Sequence, residues 1–545
     1  MTNRQATRRT FLQTMTAAGA GLALSASPML AAATTAKAKA SQPDMLILMP
    51  DQMRGDCLST LGHPVMRTPN MDALAKKGVL FRRAYATVAS CIPARYSLLT
   101  GICPSDSGVV GFRAKKLATP TMPGILAKGG YSTVLVGRNM HQPAASGDLG
   151  YQKRILGSTY KANDEYDKYL RKAAPESGGI RNVIDKQLKI SCNGWRSEAW
   201  PLDRELHPTA WVIRESQKIV KETPKDQPLF LTSSFYAPHP PLFPPKKELN
   251  YYNNKKKLPA AAKGDWVDYK NIPVATKPDG TKNHIQLTGK ILHNTQAGYF
   301  GLIEQLDTEF APLIADFTAR AEAAGREWVI IVTSDHGEML GDHGLFRKCE
   351  PLEGSANIPF IVTGSKGLGF TPGAVNYKPV CLEDIMPTLL GLAGLAVPEI
   401  ASGVDLTLSL RGEKQAIREM LHFEHAPCYS KKQAFQALTD GQFKYIWRTA
   451  SGKELLFNLD TDIKEETNLA KDPAHKATLE LWRSRLIQRL AKRPEGFVKK
   501  GKLVAGRPYK PLNNIGPGKI IKVGESNKKI AAEKKAAAKK AAKKK

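Results

Sequence analysis

The chain has 545 residues, with 80 lysines and arginines against 50 aspartates and glutamates, a formal net charge of +30. A hydrophobic fraction of 42% and an aromatic fraction of 7% belong to a globular protein with a real core, and they exclude a chain disordered throughout. The basic excess favours acidic partners or substrates, and no nucleic-acid motif accompanies it, so DNA and RNA are not expected partners.

In chain order, Thr7-Arg8-Arg9-Thr10-Phe11-Leu12 is a twin-arginine pattern, followed by a short Ala/Gly-rich apolar stretch and small residues at 31–33. Residues 1–33 read as a Tat export signal, which makes the export machinery a partner and predicts a periplasmic or secreted protein. The apolar stretch is too short and too rich in Ala and Gly for a stable membrane span. Residues 45–49 form an apolar run ending in Pro50-Asp51, the pattern of a buried parallel strand with acidic chemistry at its carboxyl end. Thr68-Pro69-Asn70 opens a helix. Three further apolar runs end in polar loops: 131–137 before Arg138 and His141, 229–235 before His239, and 328–333 before Asp335 and His336. Open α/β sheets place their sites outside the carboxyl ends of such strands. Helical spacing over 298–320 completes an alternation that predicts a mostly parallel sheet between helices.

The stretches 150–205 and 245–290 are polar and Lys-rich, including Lys255, Lys256 and Lys257, and read as long surface insertions near the site. From about 416 the pattern changes to antiparallel strands at 443–447 and 454–459 and a helix over 474–493. The expected domains are 41–415, catalytic, and 416–500, a smaller α+β subdomain with an antiparallel sheet. Residues 501–545 are expected to be a basic tail, rich in Lys and Ala from 528 onward. Seven cysteines, Cys57, Cys91, Cys103, Cys192, Cys349, Cys381 and Cys428, contain no C-x-x-C pair, and their spacing assigns no disulfides.

Cys91-Ile92-Pro93-Ala94-Arg95, followed by Leu98-Leu99-Thr100-Gly101, resembles the type I sulfatase signature, in which the cysteine is oxidised to formylglycine by a maturase. The resemblance extends over nearly all of the chain after the signal. It takes in Pro50-Asp51-Gln52, Pro238-His239-Pro240, Ser334-Asp335-His336-Gly337-Glu338, Arg347-Lys348, Asp384-Ile385-Met386-Pro387-Thr388 and Phe457-Asn458-Leu459-Asp460. It implies an alkaline-phosphatase-like fold and hydrolysis of sulfate esters, with a sulfated carbohydrate as the expected substrate. It also implies one divalent cation, calcium or alternatively manganese or magnesium, held by Asp51, Gln52, Asp335, His336 and residue 91. One hydroxyl of the hydrated aldehyde attacks sulfur, and loss of a proton from the second expels sulfate, with His141 as base. Arg95 steadies the aldehyde, while Arg138, His239 and Lys348 bind the sulfate, the last two also serving the leaving oxygen.

The chain departs from the family pattern in places. Arg138 stands where a lysine is common, His141 lies one residue late, Gln52 and His336 replace Asp and Asn, and Asn357 replaces a frequent arginine. Arginine binds sulfate in a fork but is a poor acid, and imidazole is softer than calcium prefers. Two alternatives stay open: a phosphonate or phosphate ester hydrolase of the same superfamily, and an inactive polyanion-binding protein on this scaffold.

Overall fold

The computed structural model describes residues 42–513 and 515–517, except 116, 118, 141–148, 158, 160 and 161. The signal segment, His141 and the tail from 528 lie outside the described residues.

Eight strands make the main sheet: β1 (Asp44–Asp51), β2 (Val79–Phe81), β3 (Ser132–Gly137), β4 (Lys153–Leu156), β5 (Leu229–Pro238), β6 (Trp328–Thr333), β7 (Phe360–Gly364) and β8 (Ala374–Asn376). Their order is β4-β3-β5-β1-β6-β7-β2-β8. All pairings are parallel except those of β7, which runs antiparallel to both β6 and β2. The central strand β1 is buried along its whole length. Its alternate residues enter different cores: Leu46 and Leu48 pack with Val212, Ile213 and Leu302, whereas Met45, Ile47 and Met49 pack with Leu98, Leu126 and Leu389. The apolar run in β1 therefore reflects a sheet covered by helices on both faces. The long helix Gly289–Ala323 and helix Pro208–Glu222 lie on the first face, and Cys91–Thr100, Met122–Lys128 and Ile385–Leu392 on the second.

The two ends of β1 carry aspartates with different surroundings. Asp44, at the amino end, is buried against the guanidinium groups of Arg320 and Arg326 and accepts from the Leu229 amide at 2.9 Å. Asp51, at the carboxyl end, faces the loops that follow β3, β5 and β6.

A second sheet is an antiparallel meander of β9 (Leu421–His425), β10 (Phe435–Thr439), β11 (Phe443–Arg448) and β12 (Glu454–Asn458). Tyr445 and Trp447 of β11 pack on Trp482, Leu486 and Leu490 of helix Lys476–Leu490, while Ile446 faces Tyr85, Phe423 and Phe457. Buried Lys444 joins this sheet to the catalytic side, contacting Glu353 and Glu465 at 2.6 and 2.8 Å.

Two expectations need correction. The stretch 150–205 is not a surface insertion throughout: β4 is the edge of the main sheet, and Tyr166, Leu170, Ile180, Val183, Ile184 and Trp200 join the core. These apolar residues are widely spaced among lysines, which hid their common inward face. Nor does a loose tail begin at 501. Tyr509 is buried against Phe497 and Glu424, and the Val110 amide donates to Pro511 O at 3.1 Å, so the chain packs through this region before the Lys-rich end.

Candidate active site

Parallel neighbours deliver their loops to one edge of the sheet, and four of them meet here. Asp51 ends β1, Asp335 and His336 follow β6, Arg138 follows β3, and His239 follows β5. Glycine is required just before Arg138: Gly137 has φ +96°, and a Cβ there would sit 2.1 Å from Ser234 O. Cys91 opens helix Cys91–Thr100 and Arg95 lies one turn further on, so both point into the same buried space.

Arg95 organises the centre. Its Nη2 donates to Asp51 Oδ2 at 2.7 Å, its Nε to Asp335 Oδ2 at 2.8 Å and its Nη1 to Ser234 Oγ at 3.1 Å. Arg138 Nε lies 2.9 Å from the same Asp51 oxygen, its Nη2 3.9 Å from Cys91 Sγ, and its guanidinium 4.3 Å over the Tyr236 ring. Lys348 Nζ reaches Cys91 Sγ at 3.0 Å and Gln52 Oε1 at 2.7 Å, and the Gln52 amide nitrogen donates to Glu338. His336 Nε2 stands 3.1 Å from Cys91 Sγ and 3.6 Å from Asp335 Oδ1.

The carboxylates have a division of labour that fits a cation. Each gives its Oδ2 to arginine and turns its Oδ1 toward Cys91 and His336: Asp51 Oδ1 is 3.9 Å from Cys91 Sγ, and Asp335 Oδ1 also accepts from the Gln52 backbone N–H at 3.0 Å. His336 Nδ1 lies 2.9 Å from Gly337 O, which only accepts, so this nitrogen carries a hydrogen; burial opposes a proton at Nε2, but Asp335 and Cys91 favour one, and a bound cation would take that proton's place. Ligand atoms of Asp51, Cys91, Asp335 and His336 all lie within 4.8 Å of one another. Two hard oxygens and one imidazole nitrogen in one buried cluster suit a divalent ion.

Electrostatics agree. Burial alone would push both aspartates up, but the cations around them, led by Arg138 for Asp51 and by His336 and Arg95 for Asp335, hold both below the ordinary range. Burial also opposes ionisation of Cys91, yet Lys348 and His336 bring its thiol down to about 6. Burial, Lys348 and Arg138 together push His239 well below the usual histidine range. Its Nδ1 is 2.6 Å from Pro240 O and therefore carries the hydrogen, which leaves Nε2 as the titrating nitrogen.

The structure thus brings together Asp51, Gln52, Cys91, Arg95, Arg138, Asp335, His336 and Lys348, with His239 beside Tyr236, their rings 5.1 Å apart. Asn357 is not among them: its side chain packs on Gly55 and donates to Arg82 O at 3.3 Å. Sequence reasoning gave no role to Glu338, Ser234 or Tyr236. Glu338 stood inside a quoted motif, but only the fold shows its carboxylate on Gln52. The insertions also reach the site: Arg347 donates to Asn193 O at 2.9 Å, and Asn283 donates to Phe346 O at 2.6 Å. Lys255 lies 4.2 Å over the Tyr251 ring.

A sulfatase family model matches residues 43–395, and one for the N-sulphoglucosamine sulphohydrolase C-terminal region matches 341–492. An arylsulfatase of Clostridium perfringens is 32% identical over 489 residues, covering 87% of this chain and all of the relative. Among solved structures, a phosphonate monoester hydrolase of Agrobacterium radiobacter superposes with a TM-score of 0.69 at 24% identity, covering 86% of this chain and all of the other. A protein in complex with its substrate D-glucosamine-2-N,6-O-disulfate superposes with a TM-score of 0.64 at 18% identity, covering 83% and 98%. These last two likenesses bear on the fold, which is the alkaline-phosphatase-like one.

Proposed function

The chain belongs to the sulfatase family and is a sulfuric ester hydrolase, and from that premise we propose that it cleaves sulfate esters of carbohydrates at formylglycine made from Cys91. One observation carries the site assignment: Cys91 Sγ stands within 4 Å of Lys348, His336, Asp51 and Arg138 together. A reactive group at this position meets the cations that an anionic ester needs and the donors that a metal needs.

Formylglycine at position 91 would supply an oxygen nucleophile in place of the sulfur. A cation on Asp51, Gln52, Asp335 and His336 would lower the pKa of that oxygen and offset the charge of the sulfate. Calcium is the ion the resemblance implies, with manganese or magnesium as alternatives, and the His336 imidazole is a softer ligand than calcium prefers.

The chain's own residues do the rest. Arg138 is held by Asp51 and the Tyr236 face, which fixes its guanidinium beside position 91, where the sulfate would sit. Lys348 neutralises charge next to residue 91. His239 binds a proton weakly at Nε2, so its imidazolium is a strong acid for a departing alkoxide, and an incoming anion raises its affinity for that proton. Arg95 keeps the two carboxylates ionised and oriented. His141 is the base proposed from the resemblance for release of sulfate.

Export through the twin-arginine route, with maturation of Cys91 before it, completes the proposal. Its support is Arg8-Arg9 and the apolar stretch behind them. Among the described residues no helix is long and apolar enough to cross a membrane. The carbohydrate assignment is supported by the net charge of +30 and by the exposed Lys256 and Lys257.

The testing experiment compares sulfated oligosaccharides, aryl sulfates, phosphate diesters and phosphonate monoesters with calcium, manganese or magnesium after chelation. The expected result is highest kcat/KM on sulfated sugars and complete loss in Cys91→Ala. Preference for phosphonates would favour the second reading, to which Gln52 and His336 in the cation cluster already lean.

A further inference from the structure

Cys349 and Cys428 take no part in the chemistry above. Cys349 follows Lys348 and is fully buried; Cys428 lies in the loop between β9 and β10 and is partly exposed. Their sulfurs lie within 4.8 Å of each other, with a ring nitrogen of His425 in the same range. Such a trio is either a soft-metal site or a thiol pair with a histidine beside it. The histidine decides between them. Its Nδ1 faces Ala426 O, an acceptor only, and so donates; its Nε2 then accepts from Ser90 Oγ at 2.8 Å. Both ring nitrogens are committed to the protein, and two thiols are too few for a closed structural zinc site, which takes four ligands.

The segment around Cys349 needs holding. Arg347 and Cys349 both have positive φ, +77° and +71°, in a region that side chains other than glycine's occupy at a cost. The loop after β9 already clasps it without a covalent bond: Gln433 Nε2 donates to Lys348 O at 3.3 Å, and the Arg347 guanidinium lies 5.5 Å over the Tyr429 ring.

We propose that Cys349 and Cys428 close a disulfide that fastens the Lys348 segment to the second sheet. The oxidant is a small-molecule disulfide. Cys428 is the accessible sulfur, and the neighbouring Cys349 and Lys348 lower its pKa, so its thiolate attacks first. A mixed disulfide forms and one small thiolate leaves. The Cys349 sulfur then attacks the Cys428 sulfur, its proton going to the second departing thiolate. Two protein thiols are oxidised and one small disulfide is reduced to two thiols. The bond would make Lys348 a held residue: its 3.0 Å contact with position 91 already forms with both thiols free, and fastening the segment would limit its excursions from that position.

The test is peptide mapping of the full chain after exposure to oxidised glutathione, with free thiols blocked by N-ethylmaleimide, alongside zinc and copper analysis. A Cys349 peptide linked to a Cys428 peptide is expected, and this readout is independent of which ester the enzyme cleaves. Reduction should lower the melting temperature by roughly 4 °C or more, since a long loop is released. It should also lower kcat/KM severalfold, and Cys428→Ser should match the reduced protein and ignore reductant. Full alkylation of both cysteines after oxidation overturns the proposal. So does one equivalent of zinc or copper retained with both thiols protected.

Discussion

Arg95 is fully buried and joins two buried carboxylates. Removing one partner of such an assembly costs far more than the assembly contributes, because charge is left uncompensated. Arg95→Ala should therefore lose about 3–5 kcal/mol in urea unfolding as well as activity; a variant of wild-type stability would contradict the geometry. Lys348 differs, since its partners are Gln52 and residue 91. Lys348→Ala should lower kcat/KM on sulfate esters by about 10²–10³-fold through lost charge stabilisation, and Lys348→Arg should not restore it, because the fork does not fit a contact made at a single ammonium. A KM rise with unchanged kcat would mean that Lys348 binds the ground state and the transition state equally and does not favour the latter. At this scale much of the site was legible. Asp51 and Asp335 stood at the ends of apolar runs, and Cys91 and Arg95 stood one turn apart in a recognisable motif. Glu338 and Tyr236 were not legible, because their partners, Gln52 and Arg138, are distant in sequence and meet only in the folded chain.

Elements were readable where burial is continuous. β1, β3, β5 and β6 are buried on both faces, so their sequences are mainly apolar, interrupted in β5 by the buried Thr232, Ser233 and Ser234, and their bounds fall within a few residues of expectation. β2 and β8 have three residues each, too few to show a period, and the antiparallel insertion of β7 between β6 and β2 has no sequence marker. The helix expected over 298–320 runs from Gly289 to Ala323, its first turns being polar and partly exposed. Helix Pro208–Glu222 has an unusual start. His207 Nδ1 accepts from the Thr209 amide at 3.1 Å, so the cap requires a neutral ring, and burial lowers its pKa to about 3. His425, at the end of β9, is likewise lowered to about 4. The unfolded chain binds protons on both near pH 6.5 while the folded chain refuses them. Stability is therefore complete above that pH and falls as pH drops toward 4, by about 3 kcal/mol for His425. Urea midpoints across pH 4–7 should show this decline, and His207→Asn, which keeps a capping acceptor that does not titrate, should reduce it. A midpoint independent of pH in that window would contradict the neutral cap.

At the scale of the whole molecule, the net charge of +30 acts on encounter rather than on chemistry. Screening lengths shrink from about 8 Å at physiological ionic strength to about 3 Å at 1 M. Hydrolysis of a sulfated polymer should thus lose apparent affinity steeply with salt, while an aryl sulfate held mainly by the buried Arg138, Lys348 and cation should lose little. Equal salt slopes would remove the argument for a polymeric substrate. The account as a whole turns on what stands at position 91. The most direct measurement is the fraction of chains carrying formylglycine there, read by peptide mass spectrometry across preparations matured to different extents, set against sulfate release by the same preparations. The account predicts proportionality through the origin, with Cys91→Ala at zero on both axes. Full activity in a preparation whose residue 91 is entirely unmodified cysteine would contradict it.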